Sequence, residues 1–119
     1  MAFEVEFFQL ENGEKPVATF IRSLPPKLQV KAMDALRILE DEGTNLREPY
    51  SKHMGNGLFE LRIKFASDIA RVFYFFVVGS KIIVTNGYIK KQQKADPREL
   101  ERAYHYKAEY ERRRDDGRH

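Results

Sequence analysis

From Leu58 the period of the chain switches to two. Phe59, Leu61 and Ile63 fall on one side of an extended chain and Glu60, Arg62 and Lys64 on the other, so this first run is a strand with a charged face. Ala66-Ser67-Asp68 turns the chain into Ile69 to Val78, an almost continuous aromatic and β-branched run that suits a central strand covered on both faces. Gly79-Ser80 matches a two-residue hairpin turn with Gly first, and Lys81 to Ile89 supplies the next strand. Links this short join only antiparallel neighbours, because a parallel crossover needs roughly a dozen residues or more. The second half of the chain is therefore expected to hold an antiparallel meander.

The remaining elements must cover that sheet. Phe3, Val5 and Phe7 alternate with Glu4 and Glu6, so residues 3 to 9 read as a half-buried strand, which Glu11-Asn12-Gly13-Glu14 breaks. Pro16 suits a first helical position, and Val17, Phe20, Ile21 and Leu24 follow at the spacing of one helix face. Pro25-Pro26 ends that helix. A second helix begins near Pro26, with Leu28, Ala32, Ala35, Leu36 and Leu39 on its apolar stripe and Gly43 as a left-handed cap. Residues 43 to 57 are rich in Gly, Asn and Pro and read as a long irregular connection carrying Tyr50, Lys52 and His53. Asp96-Pro97-Arg98-Glu99 is a helix start, with Asp96 as cap and Glu99 placed for a capping box, and Leu100, Ala103 and Tyr104 form the stripe that follows. The expected order is β-α-α-β-β-β-α: an α+β domain whose mainly antiparallel sheet carries a helical hairpin on one face and a basic concave surface on the other. With 119 residues, 42% of them apolar, the chain suits a single domain over residues 1 to 112. Residues 113 to 119 offer nothing to bury and are expected to form a disordered charged tail.

Several classes of function are excluded at this level. No apolar run approaches the ~18–20 residues that span a bilayer, and the acidic start, Met1-Ala2-Phe3-Glu4-Val5-Glu6, is unlike a signal peptide, so no membrane association and a cytoplasmic location are expected. The absence of cysteine removes disulfides, thiolate metal sites and a cysteine nucleophile. There is no phosphate-binding glycine loop, dinucleotide fingerprint or His-Glu-x-x-His, and the three histidines, at 53, 105 and 119, fall in different segments. Neither a metal nor a cofactor is expected.

Charge points in a definite direction. Residues 1 to 60 carry seven Lys or Arg against ten Asp or Glu, whereas residues 61 to 119 carry fourteen against eight. Within residues 62 to 94, Arg62, Lys64, Arg71, Lys81, Lys90, Lys91 and Lys94 are opposed only by Asp68. A basic, aromatic-rich sheet is the electrostatic footprint of a polyanion partner. Cations from three strands, Arg62, Arg71 and the Tyr88-Ile89-Lys90-Lys91 segment, are placed to converge. Such a site suits phosphodiester chemistry in which guanidinium and ammonium groups stabilise developing charge and a ribose 2′-hydroxyl is the nucleophile. Tyr88 is a candidate to stack on a base. A structural reading stands beside each residue: Glu60 and Arg62 can pair with charges across the sheet, and Lys90 and Lys91 alternate faces, so one of them points away. Arg71, inside an apolar run, needs a partner or a functional cleft.

Val17-Ala18-Thr19-Phe20-Ile21-Arg22-Ser23-Leu24-Pro25, Gly57-Leu58-Phe59-Glu60-Leu61-Arg62, Ala70-Arg71-Val72-Phe73-Tyr74 and Asn86-Gly87-Tyr88-Ile89-Lys90-Lys91-Gln92-Gln93-Lys94 together resemble the RelE/ParE toxin superfamily, and most of all its phage-derived HigB-like branch. The resemblance spans roughly residues 3 to 110. It implies a RelE-like fold and the toxin of a type II toxin-antitoxin pair, a metal-independent endoribonuclease that cleaves mRNA on the ribosome and is neutralised by a small, usually helix-turn-helix, antitoxin. Carried over by motif, Arg62, Arg71 and Lys91 hold and activate the phosphate, with Lys90 as a neighbouring contact. The general base stays open among Glu60, His53, Tyr88 and Lys52, because Glu60 stands where some relatives have a lysine and the tyrosine some relatives use has no counterpart. Lys52, His53, Lys64, Tyr88, Lys90 and Lys94 form the expected RNA-binding set, and Glu60 joins the catalytic one. Alternatives within the same fold are a ParE-like inhibitor of DNA gyrase and a non-catalytic relative that binds RNA or an antitoxin.

Overall fold

A computed structural model describes residues 2–90 and 95–117. Five strands, β1 (Glu4–Phe7), β2 (Ser51–Gly55), β3 (Leu58–Phe65), β4 (Asp68–Val77) and β5 (Lys81–Lys90), form one sheet in the order β1-β5-β4-β3-β2. All neighbours are antiparallel except β1 and β5, which run parallel. Helices α1 (Pro16–Arg22) and α2 (Pro26–Glu42) connect β1 to the meander, and α3 (Pro97–Asp115) follows it. The fold is the α+β arrangement expected, with one strand more than the sequence reading supplied.

That extra strand is β2, in the stretch read as irregular connection. Ser51-Lys52-His53-Met54 has no apolar alternation, so nothing local marks it as extended. Pairing makes it a strand: Ser51, Lys52 and His53 lie opposite Leu61, Glu60 and Phe59 of β3. Gly55, Asn56 and Gly57, which suggested a loose loop, all have positive φ, of 110°, 52° and 80°; Gly55 ends β2 opposite Leu58, and Asn56-Gly57 is the tight turn of this hairpin. The β4–β5 hairpin also differs from expectation. Val77 pairs with Lys81, so three residues, Val78 to Ser80, make the connection rather than two.

Two cores sandwich the sheet. On one face α1 and α2 bury Val17, Ile21, Leu28, Ala32, Leu36 and Leu39 against Leu61, Ile63, Val72, Tyr74, Ile82 and Val84. On the other, Leu58, Phe73, Phe75 and Ile83 pack with Ala103, Tyr104, Tyr106 and Tyr110 of α3. The face opposite the helical hairpin is thus shared: α3 covers one part, and charged side chains of β3, β4 and β5 occupy another.

Residues 113–115, assigned from sequence to a disordered tail, are helical. The Arg113 guanidinium lies 5.0 Å from the Phe8 ring centroid and donates to the Gln9 carbonyl at 2.7 Å. A long cationic side chain thereby finds an aromatic face and a backbone acceptor, which apolar patterning does not register. The outward edge of β1 is closed in a similar way, since the Phe3 and Val5 amides donate to the carbonyl and carboxylate of Glu40 on α2 at 3.1 and 2.8 Å.

Candidate nucleic-acid interface

The site begins with an electrostatic conflict. Strand register places Arg62 of β3 directly opposite Arg71 of β4, and like charges in that relation repel. Glu60, two residues earlier on the same face of β3, resolves it. Its Oε1 accepts from Arg71 Nη1 and lies 3.8 Å from Arg62 Nε. Glu60 and Arg71 are 1% and 4% exposed, so this is a buried carboxylate–guanidinium pair, whereas Arg62 is half-buried. Arg71 therefore has the partner that an arginine inside an apolar strand requires. The bonding is incomplete: Glu60 Oε2, Arg62 Nε and Arg71 Nε are buried and make no hydrogen bond among the described residues. Three buried polar atoms without partners, gathered at one place, mark a site that a polar ligand would satisfy.

A bulge aims β5 at this cluster. Val72 pairs with Gly87 but Tyr74 pairs with Val84, so Phe73 faces both Thr85 and Asn86. The additional residue changes the phase of β5. Ile82 and Val84 face the helical hairpin, yet Tyr88 lies opposite Arg71 and Lys90 opposite Ile69, on the charged face. Strict alternation from Ile82 would have turned both the other way. The bulged residues are well held: the Thr85 hydroxyl donates to Asn86 Oδ1 at 2.8 Å, and Asn86 Nδ2 donates to the carbonyl and the carboxylate of Glu99, each at 3.1 Å. Sequence reasoning missed this pair as the organiser of the site. Its signal was Thr-Asn interrupting an apolar strand.

Tyr88 is committed to structure at two points. Its ring stacks on Phe73 at 5.9 Å, and its hydroxyl accepts from the Asp96 amide at 3.0 Å. Asp96 caps α3 through the Arg98 amide at 2.9 Å. Glu99, bonded to Asn86 and Arg102, does not close the capping box, and the Tyr88 phenol takes the place it would have filled. Burial pushes the Tyr88 phenol above its ordinary range. Lys90 shifts in the opposite direction, with burial first and the Arg71 charge second lowering its ammonium below the ordinary lysine value.

The structure brings Glu60, Arg62, Arg71, Tyr88 and Lys90 onto one face. Lys52, opposite Glu60 on β2, and Lys64, opposite Ile69 on β3, are exposed at its margin. His53 is not part of the group. It pairs with Phe59 on the opposite face, its ring 4.9 Å from that of Phe59, and its Nε2 accepts from the Gly57 amide at 3.3 Å. Lys91 and Lys94 lie outside the described residues. Among the described residues no group of three His, Asp or Glu side chains is placed to hold a metal ion, and no helix is long and apolar enough to cross a membrane.

Fold and site together define a small α+β domain with a helical pair on one face of its sheet and, beside a third helix on the other, a cation cluster built around one buried carboxylate. The chain belongs to the family described as phage derived protein Gp49-like (DUF891), whose model matches residues 19–107 and so includes every described member of the cluster. This is a family of RelE-like toxins of toxin-antitoxin systems, broadly associated with endoribonucleases. Among curated proteins, none matches the chain.

Proposed function

We propose that the protein is a HigB-like toxin of a type II toxin-antitoxin pair, an endoribonuclease that cleaves mRNA in the ribosome without a metal and is neutralised by a helix-turn-helix antitoxin. The observation that carries this reading is the convergence of Arg62, Arg71 and Lys90 on one sheet face around under-satisfied polar atoms. Phosphodiester cleavage by a neighbouring 2′-hydroxyl needs little beyond positioning and charge stabilisation, which fixed guanidinium and ammonium groups supply. In this reading Arg62, Arg71 and Lys91 hold the scissile phosphate and Glu60 orients both guanidiniums. Lys52, Lys64 and Lys94 attract the RNA strand, and the half-buried Tyr88 ring borders the nucleotide. His53, on the far face, has no part in it.

Induced expression in a bacterial host, with transcript 5′ ends mapped and ribosome-depleted extract as control, tests the reading. New in-frame ends that require ribosomes are expected, and Arg62→Ala is expected to reduce them. Growth arrest with DNA breaks and no such ends would replace the nuclease by a ParE-like gyrase inhibitor. One observation favours a different rival, a relative that binds RNA or antitoxin without cutting: Arg71 is buried against Glu60. Binding to programmed ribosomes without cleavage would establish that rival.

A further inference from the structure

Cleavage by a 2′-hydroxyl also needs a proton for the leaving 5′-oxygen, and among the described residues most of the titratable groups near the cluster are unsuited to supply it. Glu60 is held by Arg71 and Arg62. The Tyr88 hydroxyl accepts from the Asp96 amide and burial raises its pKa, which makes it a poor proton donor, and His53 lies on the opposite face. Guanidinium groups do not release protons in proteins. Lys52 and Lys64 are solvent-exposed. Lys90 differs from all of these: it is half-buried, it shares the Arg71 face, and no carboxylate among the described residues lies within ion-pair distance of it.

We infer that Lys90 is the proton donor to the leaving 5′-oxygen, an assignment that rests on the nuclease reading above. In the step, the 2′-oxygen bonds to phosphorus and its proton passes to solvent water. The P–O5′ bond breaks with its electron pair going to the 5′-oxygen, which takes a proton from Lys90 Nζ. The products are a 2′,3′-cyclic phosphate and a 5′-hydroxyl, and the neutral amine recovers a proton from water. Among the described residues the charged groups acting on Lys90 are Arg71 of β4, Glu60 and Arg62 of β3 and Lys52 of β2. Tyr88 is the titratable neighbour on β5, and Asp96, ahead of α3, acts on Tyr88. Burial and the surrounding cations make the Lys90 ammonium a readier proton source than an exposed lysine. Because the ammonium is the donating form, the rate falls as pH rises through the lowered Lys90 pKa.

The test compares the full chain with Lys90→Arg and Lys90→Met on ribosomes programmed with mRNA whose scissile linkage carries either the natural 5′-oxygen or a bridging 5′-sulfur. Both variants are expected to cleave the oxygen linkage ~100-fold to 10,000-fold more slowly, the range for a lost proton donor, and the sulfur linkage within about tenfold of wild type, since a thiolate leaves without a proton. The fall in wild-type rate at high pH is expected with oxygen and not with sulfur. Equal impairment on both linkages would make Lys90 a positioning residue, and an unimpaired variant on oxygen would give it no role; either overturns the assignment. Failure of the wild-type protein to cleave either linkage would overturn the nuclease reading itself, and the assignment with it.

Discussion

Arg71 shows what one side chain settles. Its Nη1 is bound by a carboxylate that is itself 1% exposed, and among the described residues the only other cation in ion-pair range of Glu60 is Arg62 at 3.8 Å. Removing one partner of a buried pair strands the other charge, so Arg71→Ala is expected to destabilise the protein by about 3–5 kcal/mol, read as a lower urea midpoint. The double variant Glu60→Gln/Arg71→Met removes the stranded carboxylate and should recover most of that loss. A cost under about 1 kcal/mol for the single variant would show that the two groups are not coupled in the fold. Loss of toxicity in Arg71→Ala alone is therefore ambiguous, and Arg62→Ala, at a half-buried position, is the cleaner probe of phosphate contact. The sequence showed that Arg71 needed a partner or a functional cleft, because an isolated guanidinium in an apolar strand is costly. It did not identify Glu60 as that partner, because the choice between pairing along one strand and across two depends on register.

Register, at the scale of the element, is also where local patterning ran out. The alternation from Leu58, the apolar run to Val78 and the strand that follows it announced the meander, and Pro16, Pro26 and Pro97 each mark the first residue of a helix. β2 escaped notice because it is a strand by pairing and not by composition. The bulge at Thr85-Asn86 escaped for a related reason: counting in twos assigns Tyr88 and Lys90 to the wrong face, and only the match of Val72 to Gly87 shows the additional residue. Gly87 locks that register. A Cβ there would meet the Phe20 ring of α1 at 2.5 Å and the Arg71 carbonyl at 3.0 Å, so α1 packs on β5 where no side chain intervenes. Gly87→Ala is expected to cost about 1–3 kcal/mol by overpacking. Phe20→Leu should relieve part of the penalty in the double variant, as measured by thermal unfolding. Additive losses would mean that the backbone of Arg71, and not the ring, is the limiting contact.

At the scale of the whole molecule, α3 ties the sheet together across the face that the site shares. Near its start Asn86 and Tyr88 of β5 hold Glu99 and the Asp96 amide. In its middle the Tyr104 hydroxyl donates to the carbonyls of Met54 and Gly55 at the end of β2, at 3.0 and 2.8 Å. At its far end Arg113 reaches Phe8 and Gln9 just past β1. The helix thus touches both edge regions of a sheet whose first and last strands in spatial order are its least extensively paired. A chain truncated after Arg112, the boundary that composition alone suggests, keeps every apolar contact of α3 but loses the Arg113 anchor. The shorter form loses the two anchors of Arg113, one cation–π contact and one charged hydrogen bond at a side chain 19% exposed, and with them the ion pairs of Arg113 with Glu109 and of Arg112 with Asp116, together about 1–3 kcal/mol. Truncation after Asp116 leaves all of these in place and is expected to be neutral within about 0.5 kcal/mol. Urea unfolding of the two truncated forms decides between an anchored helix end and an expendable one. Equal midpoints would return residues 113–115 to the status of a tail, while a lower midpoint for the shorter form alone would make Arg113 the residue that fastens α3 to the β1 side of the sheet.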